Sequence, residues 1–135
     1  MKTSEFISDC VRGNQTKPKS VSSVYFDGNT IFSYGEHYPL LFKIKGAWFM
    51  NDYGYSNTTA RHISWAKPYA QFTVSLPYGT SGTPEDNTVI NALTHEITEK
   101  TTEHNDLKRK NTKRAGALEA RIVELTQGRD YIINN

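Results

Sequence analysis

From Thr83 onward the chain carries one long helical pattern, and its length limits what the rest can be. Thr83 reads as a cap, Pro84 as the first helical residue, and Glu85 and Asp86 as acids at the positive end of the helix dipole. Gly128 is the next glycine placed to stop it. Unbroken, the stretch from Pro84 to Gln127 would run about 65 Å at the rise of an α-helix. A 135-residue globule is only about 30 Å across. The helix therefore projects from the body, or it breaks into a hairpin near Asn105 or Asn111. Ile90, Leu93, Ile97, Leu107, Leu118 and Leu125 fall on a heptad seam, but its other slots hold Lys100, His104, Asn111, Arg114 and Arg121. A continuous dimeric coiled coil wants a more apolar seam. Charge is segregated, with Glu96, Glu99, Glu103 and Asp106 ahead of a basic stretch. Antiparallel pairing suits that pattern, and a homodimer through the C-terminal helices is expected.

The remaining chain divides into two zones. Residues 1–23 read as an N-terminal helix and an extended connector: Phe6, Ile7, Cys10 and Val11 have helical spacing, Gly13-Asn14 ends it, and the connector holds Lys17-Pro18-Lys19. Residues 24–82 read as a β-rich domain. Val24–Phe26 and Thr30–Tyr34 flank Asp27-Gly28-Asn29, a hairpin turn, and Leu40–Ile44 turns at Lys45-Gly46 into Ala47–Met50. Four antiparallel strands follow, because the connections are too short for crossovers. Thr58–Ala66 reads as a short helix capped by Ser56 or Asn57 and ended by Pro68, and Gln71–Leu76 as a fifth strand. With the helical region 83–135, the fold class is α+β: a small antiparallel meander, a short helix, and a long C-terminal helix or helical hairpin.

Composition removes several classes. Apolar residues make up 36% and mean hydropathy is −0.64, and no apolar run reaches the roughly 20 residues of a membrane span. No secretory leader is read at the start, so a cytoplasmic protein is expected, with no membrane partner. A single cysteine, Cys10, excludes an internal disulfide and a Cys-rich zinc site. Nothing matches a phosphate loop, a nucleophile elbow or a paired-carboxylate motif.

Two patches carry the functional candidates. The first is Tyr34, His37, Tyr38, Tyr53, Tyr55, Arg61 and His62, assigned to binding a macromolecule. Tyrosines in a glycine-containing loop are common interface anchors, whereas Phe26, Phe32, Phe42 and Trp48 are read as core. His62 as general base with Arg61 as anion clamp would make an enzyme. His37 and His62 with Asp52 or Glu36 would make a metal site. The plainer reading has both histidines fixing the loop by hydrogen bonds. No catalysis, metal or cofactor is expected. The second patch is Lys108, Arg109, Lys110, Lys113 and Arg114, five bases in seven residues, suited to phosphates or an acidic partner. On a continuous helix Lys110, Lys113 and Arg114 would share a face, with Glu103 and Asp106 within reach of Lys110.

Ser33-Tyr34-Gly35-Glu36-His37-Tyr38-Pro39, followed by Tyr55-Ser56-Asn57-Thr58-Thr59-Ala60-Arg61-His62, resembles the signature of a small phage and prophage domain of unknown function. The likeness covers roughly Val24 to Ala66. It implies a phage-encoded origin and a compact β-rich domain, and no activity. The expected function is that of a phage accessory protein binding a host protein or nucleoprotein complex in the host cytoplasm. One form is an inhibitor of a host defence system such as CRISPR. The rival is direct nucleic-acid binding by the basic segment 108–114.

Overall fold

Two-residue turns decide how the sheet is built. Lys45 and Gly46 both have positive φ (52° and 87°), and Ile44 pairs directly with Ala47, so β4 (Pro39–Ile44) reverses tightly into β5 (Ala47–Asn51). Asp27 closes the turn from β2 (Val24–Phe26) to β3 (Ile31–Ser33). Its Oδ1 accepts from the amides of Asn29 (2.8 Å) and Thr30 (2.7 Å). The computed structural model describes residues 2–53, 57–107 and 110–135. Tyr55, Lys108 and Arg109, all candidates above, lie outside the described residues.

The sheet has six strands in sequence order, the outer two being β1 (Lys19–Val21) and β6 (Phe72–Val74). β1 corrects the reading of residues 14–23 as connector alone: Lys19-Ser20-Val21 pairs antiparallel with β2. Its three residues are too few, and too polar, to show strand alternation. β6 corrects the wholly antiparallel sheet, since it runs parallel to β5. The chain gains the room for that crossover from α2 (Asn57–Ala66) and a 3₁₀ turn, Lys67–Tyr69, containing Pro68.

Helices cover both faces. α1 (Thr3–Arg12) ends at Gly13, whose φ of 81° supplies the left-handed cap expected there. With α2 it covers a core of Phe6, Ile7, Phe26, Ile31, Leu41, Trp48 and Met50. The other face carries Phe42, Phe49, Val74 and Leu76 beneath two long helices, α3 (Asp86–Leu107) and α4 (Thr112–Asn134). The long pattern is thus a hairpin, broken after Leu107, whose carbonyl accepts from the amides of Lys110 and Asn111. Asn111 caps α4, its Oδ1 accepting from the amide of Arg114 at 3.1 Å.

Several helix details depart from expectation. α3 starts at Asp86, not Pro84, because Thr83 turns away to bond Thr30 between hydroxyls at 2.7 Å. Lys110 lies in the interhelical turn, off the face it was to share with Lys113 and Arg114, and Glu103 bonds Arg114 instead. Gly128 does not stop α4 but sits inside it, against Phe72 and Phe49. There the missing side chain allows close approach to the aromatic face of the sheet. The Tyr131–Ile133 tail continues the helix, with the Tyr131 hydroxyl donating to the Lys45 carbonyl (2.6 Å) and Lys45 Nζ donating to the Ile132 carbonyl (2.6 Å). An ammonium at a helix C-terminus also opposes the helix dipole.

The two glycines of α4 should respond oppositely to side chains. Gly116 faces open space, so Gly116→Ala should stabilise by about 0.5–1 kcal/mol. At Gly128 a Cβ would already touch Phe72 and Phe49 at 3.4–3.5 Å, so Gly128→Leu should cost about 1–3 kcal/mol by overpacking. Urea midpoints for both variants test this, and equal effects would refute the close-packing role.

Candidate functional site

The parallel pair β5–β6 shapes a broad, open cleft. The chain leaves β5 toward α2 on one face and leaves β6 toward α3 on the other. Diverging connections at the carboxyl ends of parallel strands open a crevice. Here it is a cleft of about 1020 Å³, between Asp52-Tyr53 and Ser75–Pro77 on one side and α3 on the other. A smaller cleft of about 170 Å³ adjoins it through the shared residues Tyr53, Leu76 and Pro77, and is walled by His37, Tyr38 and Tyr78.

Buried polar groups set the crevice walls. Asn51, at the end of β5, accepts through Oδ1 from the amides of Tyr53 (3.1 Å) and Leu76 (3.0 Å), spanning the two diverging strands. The Tyr38 hydroxyl donates to the carbonyls of Asn51 (2.9 Å) and Tyr53 (2.7 Å), sharing one proton. Burial, then the nearby charge of Asp52, pushes the Tyr38 phenol well above its ordinary range, so it stays a neutral donor.

One arginine closes the crevice floor. Arg121 of α4 donates to Glu96 of α3 (Nε, 3.0 Å), to Thr73 of β6 (2.6 Å) and to Asp52 after β5 (3.0 Å). Lys100 adds a second cation to Glu96 at 3.5 Å. Burial raises the Asp52 pKa and the charge of Arg121 draws it back, with the net shift upward. For Arg121, burial opposes the charge, but hydrogen bonding to Glu96 and the carboxylates around it win, so its pKa rises.

The first sequence patch splits. His37 (exposed), Tyr38 (buried) and Tyr53 (half-buried) meet at the smaller cleft. Arg61 is exposed on α2. His62 is 3% exposed, and its Nδ1 lies 2.7 Å from Ser33 Oγ, which also meets the Thr59 hydroxyl at 3.4 Å. The Tyr34 ring lies 6.3 Å from the His62 ring. Ser33, Thr59 and His62, all signature positions, are thus joined in a buried hydrogen-bonded pin between β3 and α2. Burial, then the charge of Arg61, lowers the His62 pKa below 6.5 and keeps the imidazole neutral. Among the described residues no three His, Cys, Asp or Glu side chains gather as a metal site. Cys10 is buried, with its thiol pushed up to about 12, and is unreactive packing.

In the second patch, Lys110 and Lys113 are exposed at the hairpin tip, while Arg114 is bound by Glu103. Sequence reasoning missed Tyr78 and the Arg121 cluster as site features. The signal for the cluster was the charged seam slots: Lys100, His104, Arg114 and Arg121 all pair with carboxylates across or along the hairpin. No protein-family model, curated protein or solved structure matches the chain.

Two outcomes test this arrangement. A histidine whose pKa falls on folding stabilises above its ordinary value of about 6.5 and loses that contribution as pH falls through the lowered pKa. Between pH 7.5 and 5, the wild type should therefore lose more stability than His62→Gln, read from urea midpoints; parallel pH slopes would contradict the buried neutral histidine. Replacing Arg121 by Met leaves Asp52 and Glu96 without their shared donor and should cost about 1–3 kcal/mol. Arg121→Lys, lacking the fork, should recover only part of it. A parental midpoint in Arg121→Met would show the tie to be dispensable.

Proposed function

We propose that the protein acts by binding a macromolecular partner without catalysis, through the crevice at the carboxyl ends of β5 and β6. The observation that carries this reading is the aromatic rim: Tyr78 is 71% exposed, its ring 6.2 Å from that of Tyr53, beside exposed His37. Large rings held at a cleft mouth bury much area at little entropic cost. The burial of His62 adds support, since it takes from the surface the histidine that the sequence offers as a general base. The resemblance to the phage domain supports a phage accessory protein whose partner is a host macromolecule, with inhibition of a defence system as one form.

The hairpin tip supports a second reading. Lys110 and Lys113 project into solvent where the helices turn, a placement that suits phosphate contacts. Affinity capture from bacterial lysate, with and without nuclease, separates the two. Under the first reading a protein partner survives nuclease and is lost with Tyr78→Ala. Nucleic acid recovered alone, and lost on changing Lys110 and Lys113 to Glu, would replace it by the second.

A further inference from the structure

We propose that the crevice takes an extended, proline-containing segment of a partner protein, with an arginine or lysine a few residues from the prolines. This rests on the protein-binding reading above and names the chemistry of its partner. The smaller cleft is a slot of about 170 Å³, walled in part by Tyr38, Tyr53, Tyr78 and Pro77. Aromatic-walled slots of this kind suit proline rings. Polyproline segments come preformed, so they dock with little loss of entropy. Their backbone makes no internal hydrogen bonds and is free to lie along such a wall.

The slot opens across Tyr53 and Pro77 into the larger cleft, and there the charge is acidic. Three carboxylates line it, Asp52, Glu96 and Glu99, against two cations, Arg121 and Lys100. Lys100 is paired to Glu96, and Arg121 to both Glu96 and Asp52, so among the described residues the cleft carboxylate left facing solvent without a Lys or Arg partner is Glu99. Glu99 lies out on α3, held by exposed His95 at 2.9 Å. A polyproline segment advances about 3.1 Å per residue, so a base a few positions beyond the slot reaches Glu99. Glu36, exposed in the 3₁₀ turn that carries His37, adds negative charge near the slot. That field repels phosphates and favours a basic peptide over a single-stranded nucleic acid, which would otherwise suit stacked tyrosines.

Fluorescence anisotropy at low salt with a short labelled peptide of Pro-Pro-Ala repeats ending in Arg-Arg tests this. The controls are the same peptide ending in Glu-Glu, the same with alanine for every proline, and oligo-dT. The arginine peptide should bind saturably. It should weaken about tenfold with Glu-Glu, and about fivefold without proline. Tyr78→Ala, at an exposed position, should weaken binding about tenfold. Glu99→Lys, also exposed, should shift preference toward the Glu-Glu peptide. Equal affinity for the proline and alanine peptides, tighter binding of oligo-dT, or no peptide binding at all would overturn the inference. If no peptide binds while capture from lysate still depends on Tyr78, only the partner chemistry fails. If capture ignores Tyr78, the binding reading itself falls.

Discussion

A guanidinium that is four-fifths buried must be paired, because a charge stripped of water without partners costs several kcal/mol. Arg121, 21% exposed, meets that demand with acceptors from three separate parts of the chain: Glu96 on α3, Thr73 on β6 and Asp52 after β5. The planar fork suits this, since its donors point in several fixed directions at once. The hairpin is thereby seated on the parallel edge of the sheet. The position of α3 over that edge sets the width of the larger cleft, and Asp52 is held where it borders both the cleft and the arginine. Apolar packing by Leu93, Leu125 and Ile132 supplies the bulk of the attraction between helices and sheet. It is non-directional, and the arginine adds the register.

The second organising feature is the change of strand direction at the last sheet position. Five strands form an antiparallel run, and the sixth is added in parallel after a helical crossover. The two strands that leave toward opposite faces separate there, and the gap exposes Tyr53 and Pro77. Asn51 bridges that gap through one side-chain oxygen, which keeps the separation open but fixed. Rigid walls matter for a binding reading, since a preformed surface loses less entropy on association.

How much of this was legible in the sequence follows from the range of each interaction. The hairpins at Asp27-Gly28 and Lys45-Gly46, the end of α1 at Gly13 and the antiparallel strands between them depend on neighbours within a few residues, and the pattern shows them. The parallel placement of β6 depends on which edge of the sheet is free, and no local residue records that. Gly128 was read as a stop because glycine usually ends helices; its role here is set by Phe49 and Phe72, far away in sequence. For His62 the sequence supports both a binding residue and a histidine that fixes the loop by hydrogen bonds; its burial against Ser33, from a strand 29 residues away, is a tertiary fact. Arg121 was visible as a charge in an apolar seam, but its partners were not, since Asp52 lies 69 residues away.

Strand order equal to sequence order has a consequence for how the molecule comes into being. Each strand pairs with the one made just before it, so the sheet can grow in the direction of synthesis with short loops to close. The core beneath α1 and α2 is complete once α2 has emerged. The opposite face, with Phe42 and Phe49, waits for α4, whose Leu125 and Ile132 come far later in the chain. During that interval a nascent chain displays an aromatic sheet face to its surroundings, which makes it a natural client for chaperones at the ribosome.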